Sequence, residues 1–270
     1  MWKRLAAVGL GLMSVATAAL AHDMFIKLNT YFLQPNSAVQ VPLINGTFVA
    51  SENAIAVNRV SDASLVVAGR RRPIDLKDWT AAGDTTFIGI RTAAAGTYVM
   101  GASTRHTDFE LTANEFNEYL EHDGIPDVLE ARRRAGQLDV DVAERYSKHV
   151  KAVFQVGEAR SEGFDIVLGY PAEVVPLDNP YNLRVGDALA VRCLVDGRAV
   201  PGQFVLIGGI GVGGVAISER SGRTDADGVL RFTIDRAGRW YIKFINMVSL
   251  DEASPVDYES KWATLTFEMR

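Results

Sequence analysis

The sequence predicts an all-β protein made of two immunoglobulin-like or transthyretin-like β-sandwich domains with a short helical insert between them. Short runs of alternating apolar and polar residues begin at His22 and recur along most of the chain, with turn residues between them. In the middle of the chain the apolar spacing lengthens to about 3.6 residues, which is typical of helices. We therefore expect a signal peptide at residues 1–21, an N-terminal sandwich at 22–107, a helical insert at 108–160 and a C-terminal sandwich at 161–270, each sandwich with its own core.

Residues 1–21 have the layout of a cleaved secretory signal peptide. Lys3 and Arg4 give a basic start, an apolar run follows, and Ala19 and Ala21 form a small-residue cleavage site. An uncleaved anchor helix needs about 20 strongly apolar residues, and this run is shorter and rich in alanine and glycine. The pattern predicts export to the periplasm and a mature chain that begins at His22 and contains no transmembrane helix.

The N-terminal β region is indicated by five runs with the alternation of strands. They read FIKL, VQVPLI, ASLVVAG, TTFIGI and GTYVMGA. Glycine, asparagine and other turn-forming residues separate them at the close spacing of a sandwich.

The helical insert begins with a recognisable N-terminus. Thr112 and Glu115 have the spacing of a capping box, and Phe116 and Leu120 lie on one helical face. The first helix is expected to end near Gly124. A second helix is expected from Pro126, which suits a first helical turn, to about Gly136. A third is predicted over residues 140–154, because apolar residues recur there at helical spacing: Val142, Tyr146, Val150 and Val153.

The C-terminal β region shows the same alternation as the first. Its runs read FDIVLGY, AEVVPL, ALAVRCLV, QFVLIG, LRFTI, WYIKFI and ATLTFEM. The single cysteine, Cys193, lies inside one of these runs, so a buried thiol that packs like a small apolar side chain is expected. With no second cysteine, an internal disulfide is excluded.

Composition and motifs exclude several classes of function. The formal net charge is -5, with no basic cluster of the kind that attracts nucleic acid. The run GGIGVGG has the letters of a dinucleotide-binding turn, but a strand-like segment follows it where such a turn requires a helix. The run TDADG lacks the twelfth-position glutamate of a calcium loop and is predicted to be a turn. No nucleophile motif argues for catalysis.

The histidines are few enough to consider one by one. His106 lies where the first β region passes into the insert. His122 follows Glu118 by four residues, so the two share a helix face, where they form either a metal site or a solvated pair. His149 lies beside the apolar stripe of the predicted third helix. Each is a candidate ligand because imidazole is the commonest metal ligand in proteins, although a lone histidine more often has a structural role.

His22 differs from the other histidines because the predicted cleavage would place it at the N-terminus. It would then offer a free α-amine and an imidazole, with pKa values near 8 and 6.5, so both are available as neutral donors near pH 7. Nitrogen donors favour Cu(II) and Ni(II) over hard cations. The neighbouring Asp23 would adjust how strongly this pair of donors binds the metal. His106, His122 or His149 would supply a further ligand. The alternative is a solvated, frayed terminus.

Six stretches of the chain also match a known family in order. They are AHDMFIKL, NEFNEYLEHDGI, RYSKHVKAVFQVG, GYPAEVVPLDNPYNLRVGD, TDADGVLRFTIDRAGRWYI and DYESKWATLTFEM. On these stretches the sequence resembles the DUF4198 family, once described as nickel-uptake substrate-specific components of the NikM and NikK type. The resemblance implies an association with metal uptake. Many members have a histidine where this chain has Asn246, so a metal site there would be altered, with Met247 beside it as a thioether ligand suited to Cu(I).

These observations lead us to expect an exported transition-metal-binding protein, with nickel, cobalt or copper as its cargo. It would act as a receptor or accessory in metal uptake or homeostasis, and uptake would require a membrane transporter as partner. Two other classes stay open. One is an adhesion or scaffold module that binds protein or glycan through the sandwich loops without metal. The other is a copper oxidoreductase that uses His22 in a histidine brace with a second imidazole.

Overall fold

The computed structural model describes residues 22–270, and within this range strands form most of the secondary structure. The predicted all-β class is therefore confirmed. The predicted signal peptide at residues 1–21 lies outside the described residues. Neither of the two helices in the described part has the length and apolar character that a membrane span requires.

The elements that precede the helices are short strands joined by turns. Their bounds are β1 (Asp23–Ile26), β2 (Phe32–Leu33), β3 (Ala38–Gly46), β4 (Val60–Val67), β5 (Arg70–Pro73), β6 (Trp79–Ala82), β7 (Thr85–Arg91), β8 (Gly96–Thr104) and β9 (Thr107–Leu111).

Two helices follow, and then longer strands complete the fold. Their bounds are α1 (Ala113–His122), α2 (Pro126–Ala135), β10 (Val142–Val156), β11 (Ala172–Pro176), β12 (Ala188–Val195), β13 (Arg198–Ala199), β14 (Phe204–Gly211), β15 (Ala216–Arg223), β16 (Val229–Thr233), β17 (Gly238–Ser249) and β18 (Tyr258–Met269).

The strands of the described chain form three sheets, of which the largest joins the two β regions. Its order is β15-β14-β17-β18-β10-β8-β4-β5, and β2 and β9 also pair with β10. The smaller sheets have the orders β1-β3-β7-β6 and β11-β12-β13, and β16 also pairs with β12. The main core contains residues from both regions, such as Tyr98 and Trp240. The expectation that each sandwich buries its own core is wrong.

The predicted third helix is also wrong, because residues 142–156 form the long central strand β10. This strand pairs in parallel with β18 and antiparallel with β8 and β9. Its polar residues Lys148, Lys151 and Gln155 are buried, as are the apolar residues between them. Polar residues inside a central strand interrupt the alternation of period two, and the remaining apolar positions happened to fit a helical period.

The two predicted helices do form, and their ends match the sequence signals. Thr112 and Glu115 make the capping box, and Pro126 lies in the first turn of α2. Gly136 caps α2 in the left-handed conformation, at φ 67°. The apolar side chains of α1 pack in a second cluster against β10, β17 and β18: Phe116, Tyr119, Leu120, Ile125, Val142, Ile245, Met247, Tyr258 and Trp262. The helices therefore cover one end of the large sheet.

The predicted burial of the single cysteine is confirmed. Cys193 lies in β12 with no exposed surface, and burial raises the pKa of its thiol far above the usual range. The glycine-rich run lies in β14 and its following turn, where the β14–β15 register shifts between Ile207 and Gly209. A Cβ atom on Gly209 would lie 2.2 Å from the main-chain oxygen of Arg239. Glycine is required there by close backbone approach.

We expect Gly209→Ala to lower the free energy of unfolding by about 2 kcal/mol, because the added methyl group forces β14 away from β17. Gly211→Ala is the matched comparison, since its nearest new contact would be 3.3 Å away. Gly211→Ala should therefore lower the free energy of unfolding by less than Gly209→Ala does. Urea denaturation of both variants measures the difference, and equal losses would contradict the close-approach explanation.

Candidate functional site

A pocket of about 390 Å³ opens where α1, β1 and the edge of the large sheet meet. The loop after β3 closes one side of it. Its lining residues are His22, Asp23, Phe25, Gly46, Thr47, Phe48, Glu52, Glu118, Tyr119, His122, Asp123, Glu219, Tyr241 and Lys243. They come from parts of the chain that are far apart, so the pocket exists only in the folded protein.

Strand pairing brings these segments to one place. Antiparallel pairing of β1 and β3 sets Asp23 opposite Gly46, and the loop that follows Gly46 carries Phe48 and Glu52 over the start of β1. The last turns of α1 supply side chains from the opposite wall. Strands β15 and β17 add Glu219 and Lys243 from below.

His22 lies at the mouth of the pocket, immediately before β1. Its Nδ1 is 3.5 Å from Oε2 of Glu52, and 20% of its side chain is exposed. The main-chain oxygen of His22 accepts a hydrogen bond from the ammonium of Lys148, which also donates to Oδ1 of Asn45 at 3.0 Å. The main chain at His22 is therefore anchored to β10 while its imidazole stays accessible.

His122 ends α1 and is held in one tautomer by its own helix. Its Nδ1 is 2.7 Å from the main-chain oxygen of Glu118. Because a carbonyl oxygen only accepts hydrogen bonds, this contact requires a proton on Nδ1, and in the neutral ring the lone pair is then on Nε2. Hydrogen bonding of one ring nitrogen to a carbonyl is the usual way in which proteins orient a metal-binding histidine.

The floor of the pocket is a buried ion pair with a second acid beside it. Lys243 contacts Oδ2 of Asp23 and lies 3.6 Å from Oδ1 of Asp123. Burial works against the ammonium charge, but the two carboxylates outweigh it and raise the pKa of Lys243. Burial, with a contribution from Asp23, raises the pKa of Asp123 to about 7. Asp23 is therefore the main partner of Lys243. Asp123, with a pKa of about 7, is partly protonated at neutral pH.

Behind the floor lies a further buried carboxyl group. Glu144 has no exposed surface, and its Oε1 accepts hydrogen bonds from Ser260 and from the Tyr119 hydroxyl at 3.2 Å. Among residues 22–270, no group donates a hydrogen bond to its Oε2. Burial raises the pKa of Glu144 to about 7, and burial lowers the pKa of nearby Lys148 to about 8. Both groups can change charge near neutrality.

The wall facing the mouth is aromatic. The rings of Phe25, Phe48 and Tyr241 touch each other, with centroid distances of 4.9 to 5.3 Å. They belong to a small apolar cluster that is separate from the main core. The Tyr241 hydroxyl donates to Oε2 of Glu219 at 2.7 Å, which fixes the ring at the pocket edge.

Of the residues proposed from the sequence, the fold brings His22, Asp23 and His122 together in this pocket. His106 is exposed and does not line the pocket. His149 is buried in β10, with Ser103 2.8 Å from its Nδ1 and Ser147 3.0 Å from its Nε2. Burial lowers its pKa to about 3, so it is a neutral structural residue with both ring nitrogens occupied.

Met247 is also placed away from the pocket. It is packed among the aromatic residues under α1. With Asn246 it borders a different hollow of about 170 Å³, in which the Asn246 amide donates to Oε1 of Gln203 at 3.0 Å.

Sequence reasoning missed the residues that complete the pocket. Glu52, Glu219, Tyr241 and Lys243 lie in a loop and two strands and belong to no motif. The one available signal was a lysine at an inward position of a strand, Lys243, which implies a buried acidic partner.

Within residues 22–270, no group of three or more histidine, cysteine or acidic side chains already surrounds a common metal position. The donors that line the pocket are nevertheless suited to a transition-metal ion, because they combine imidazoles with carboxylates. Several of them, including Glu52 and His122, lie at the surface, where side chains rotate easily. A metal ion would have to draw them together.

Comparison with protein families gives a match over most of the chain. A family model described as "Domain of unknown function (DUF4198)" matches residues 19–247. No curated protein matches the sequence.

We expect the stability of the protein to fall as the pH rises from about 4.5 to 7, in part because Glu144 must lose its proton while buried. The folded state holds this proton more tightly than the unfolded state, since the pKa rises from 4.5 to about 7 on folding. Protonated Glu144 makes its full contribution to the free energy of unfolding below pH 4.5. This contribution, roughly 3 kcal/mol, is lost as the pH rises to 7.

Glu144→Gln should therefore reduce the difference in unfolding free energy between pH 5 and pH 8, as urea denaturation at the two values would measure. Glu110→Gln, at an exposed position of β9, is the control. An unchanged pH difference in the Glu144 variant would show that the buried carboxyl group does not titrate as described.

Proposed function

The chain belongs to the DUF4198 family, and on that premise we propose that it binds a transition-metal ion, nickel, cobalt or copper, in the pocket that His22 and His122 share. The family description itself assigns no function, so the proposal rests on the site. The role that follows is that of an exported receptor or accessory protein in metal uptake or homeostasis. Uptake would need a membrane transporter to which the metal is passed.

The observation that carries the proposal is that two imidazoles from distant parts of the sequence line one pocket. His22 precedes the first strand and His122 ends α1, yet both line this pocket with the carboxylates Glu52 and Glu118. Nitrogen and carboxylate donors together favour Ni(II), Co(II) and Cu(II) over Mg²⁺ and Ca²⁺.

The two histidines differ in how readily their imidazoles can bind a metal ion. His122 presents the lone pair of Nε2, because its Nδ1 is bound to the helix carbonyl. His22 is paired with Glu52 and must exchange this contact for the metal. A site that closes around its ion in this way allows both capture and release, which suits a receptor better than a permanently bound structural metal.

A copper oxidoreductase is the second candidate, and one observation favours it. A histidine brace needs a second imidazole near the N-terminal residue, and the pocket supplies His122. Consumption of oxygen by the copper-loaded protein with ascorbate as reductant would distinguish the two roles. A receptor should show no turnover above that of its His22→Ala variant.

We expect His22→Ala and His122→Ala each to weaken Ni(II) or Cu(II) binding at least tenfold, which corresponds to about 1.4 kcal/mol. Isothermal titration calorimetry at pH 7.5 measures the affinity. His106→Ala is the matched control, because His106 is exposed outside the pocket and its loss should change nothing. Equal affinity in all three variants would show that the metal does not bind in this pocket. If the unaltered protein binds no metal, an adhesion or scaffold role is favoured.

A second test concerns the α-amine that cleavage before His22 would create. Protein that begins at His22 should bind Cu(II) more tightly than the same protein with one extra alanine before His22, because only the first has a free amine beside the imidazole. The comparison leaves every side chain of the pocket in place. Equal affinity of the two forms, measured by competition with a coloured chelator, would show that the imidazoles act without the amine.

A further inference from the structure

We propose that the pocket receives the metal as a complex of net positive charge with a small organic chelator. The apolar part of the chelator packs against Phe48 and Tyr241. This inference rests on the metal-binding function proposed above and names the form in which the metal is bound. Three properties of the pocket support it: its size, its aromatic wall and its charge.

The pocket is larger than a hydrated metal ion requires. An ion with six water molecules occupies roughly 180 Å³, at about 30 Å³ for each water. The pocket measures about 390 Å³, which falls in the lower part of the range for small organic ligands, about 300 to 1,000 Å³. Two imidazoles bound to the ion would replace some of this water and leave still more space.

The aromatic wall is unsuited to the water around a bare ion. Water bound to a metal donates hydrogen bonds strongly, and the rings of Phe25 and Phe48 offer no acceptor oxygen or nitrogen. Phe48 lies in a loop and packs with Phe25 and Tyr241 in a small cluster outside the main core, at one side of the pocket. An organic group against these rings would gain both buried apolar area and a ring contact.

The charge of the pocket selects among chelators. Its lining includes four carboxylates, Asp23, Glu52, Glu118 and Glu219, and the partly ionised Asp123, against one lysine, Lys243. A polycarboxylate such as citrate would form an anionic complex with a divalent ion and would be repelled. A chelator with a single negative charge leaves the complex at +1, which the pocket attracts.

Coordination chemistry narrows the class further. The amine and imidazole of His22 and the imidazole of His122 would occupy three of the six positions of a tetragonal Ni(II) or Cu(II) ion and leave three free. A bidentate ligand with one amine and one carboxylate fills two of the free positions and carries one negative charge. An α-amino acid with an apolar side chain has this chemistry, so its donor atoms would face the histidines while its side chain faces Phe48.

The test compares nickel alone, nickel with glycine and nickel with phenylalanine. The two amino acids have identical donor atoms and differ only in the apolar side chain. Equilibrium dialysis would measure both retained nickel and retained amino acid. We expect a 1:1 ratio of nickel to phenylalanine on the protein, an affinity at least tenfold higher with phenylalanine than with glycine, and no binding of nickel citrate.

Substitutions in the aromatic wall test whether this wall causes the preference for phenylalanine over glycine. Phe48→Ala and the milder Phe48→Leu should reduce the preference for phenylalanine to less than threefold, and circular dichroism would show that both variants are still folded. Phe109→Ala is the control, because Phe109 lies on β9 and does not line the pocket. Its preference should equal that of the unaltered protein.

The outcomes separate this inference from the proposed function. If nickel binds alone and neither amino acid is retained, the metal site stands and the inference is wrong. If phenylalanine is retained without nickel, the pocket is a site for organic amines and the inference is also wrong. If nickel binds in none of these forms, and Cu(II) and Co(II) in place of nickel also fail to bind, the proposed function fails together with the inference.

Discussion

The structure depends on the pairing of β10 with β18, because these two strands join the two β regions into one sheet. A strand at the centre of a sheet has neighbours on both edges and packed layers on its faces, so its polar side chains must find partners inside the protein. Lys151 pairs with Glu173 at 2.9 Å, and Lys148 donates to His22 and Asn45. Removing one partner of such a buried pair costs about 3 to 5 kcal/mol.

This buried polar strand also determines where the pocket lies. The ammonium of Lys148 holds the main chain of His22, so the first described residue is fixed to the centre of the molecule. The Asp23–Lys243 pair forms a floor with little exposed surface, whereas 47% of the Glu52 side chain at the rim is exposed. The pocket therefore combines a fixed base with side chains that can move toward a ligand.

Local signals predicted the parts of the fold that local chemistry controls. The capping box of Thr112 and Glu115, the turn at Asp225 and the buried strand around Cys193 are all present. In β10 the prediction failed because the apolar residues happened to recur at helical spacing, while the polar residues between them, such as Lys148 and Lys151, are buried in the strand. A polar residue inside a strand looks like a solvent-facing residue until its partner from another element is known.

For the candidate site, the sequence by itself determined which residue types were available: four histidines and an acidic balance of 33 carboxylates against 28 basic residues. It also identified His22, Asp23 and His122 as candidates, each from its own neighbourhood. Only the tertiary structure decided that these three share a pocket with Glu52, while His149 is bound by two serines. The reason is physical: the pocket forms where strand pairing and helix packing bring together segments far apart in the chain, and such long-range contacts leave no periodic pattern in the sequence of any one segment.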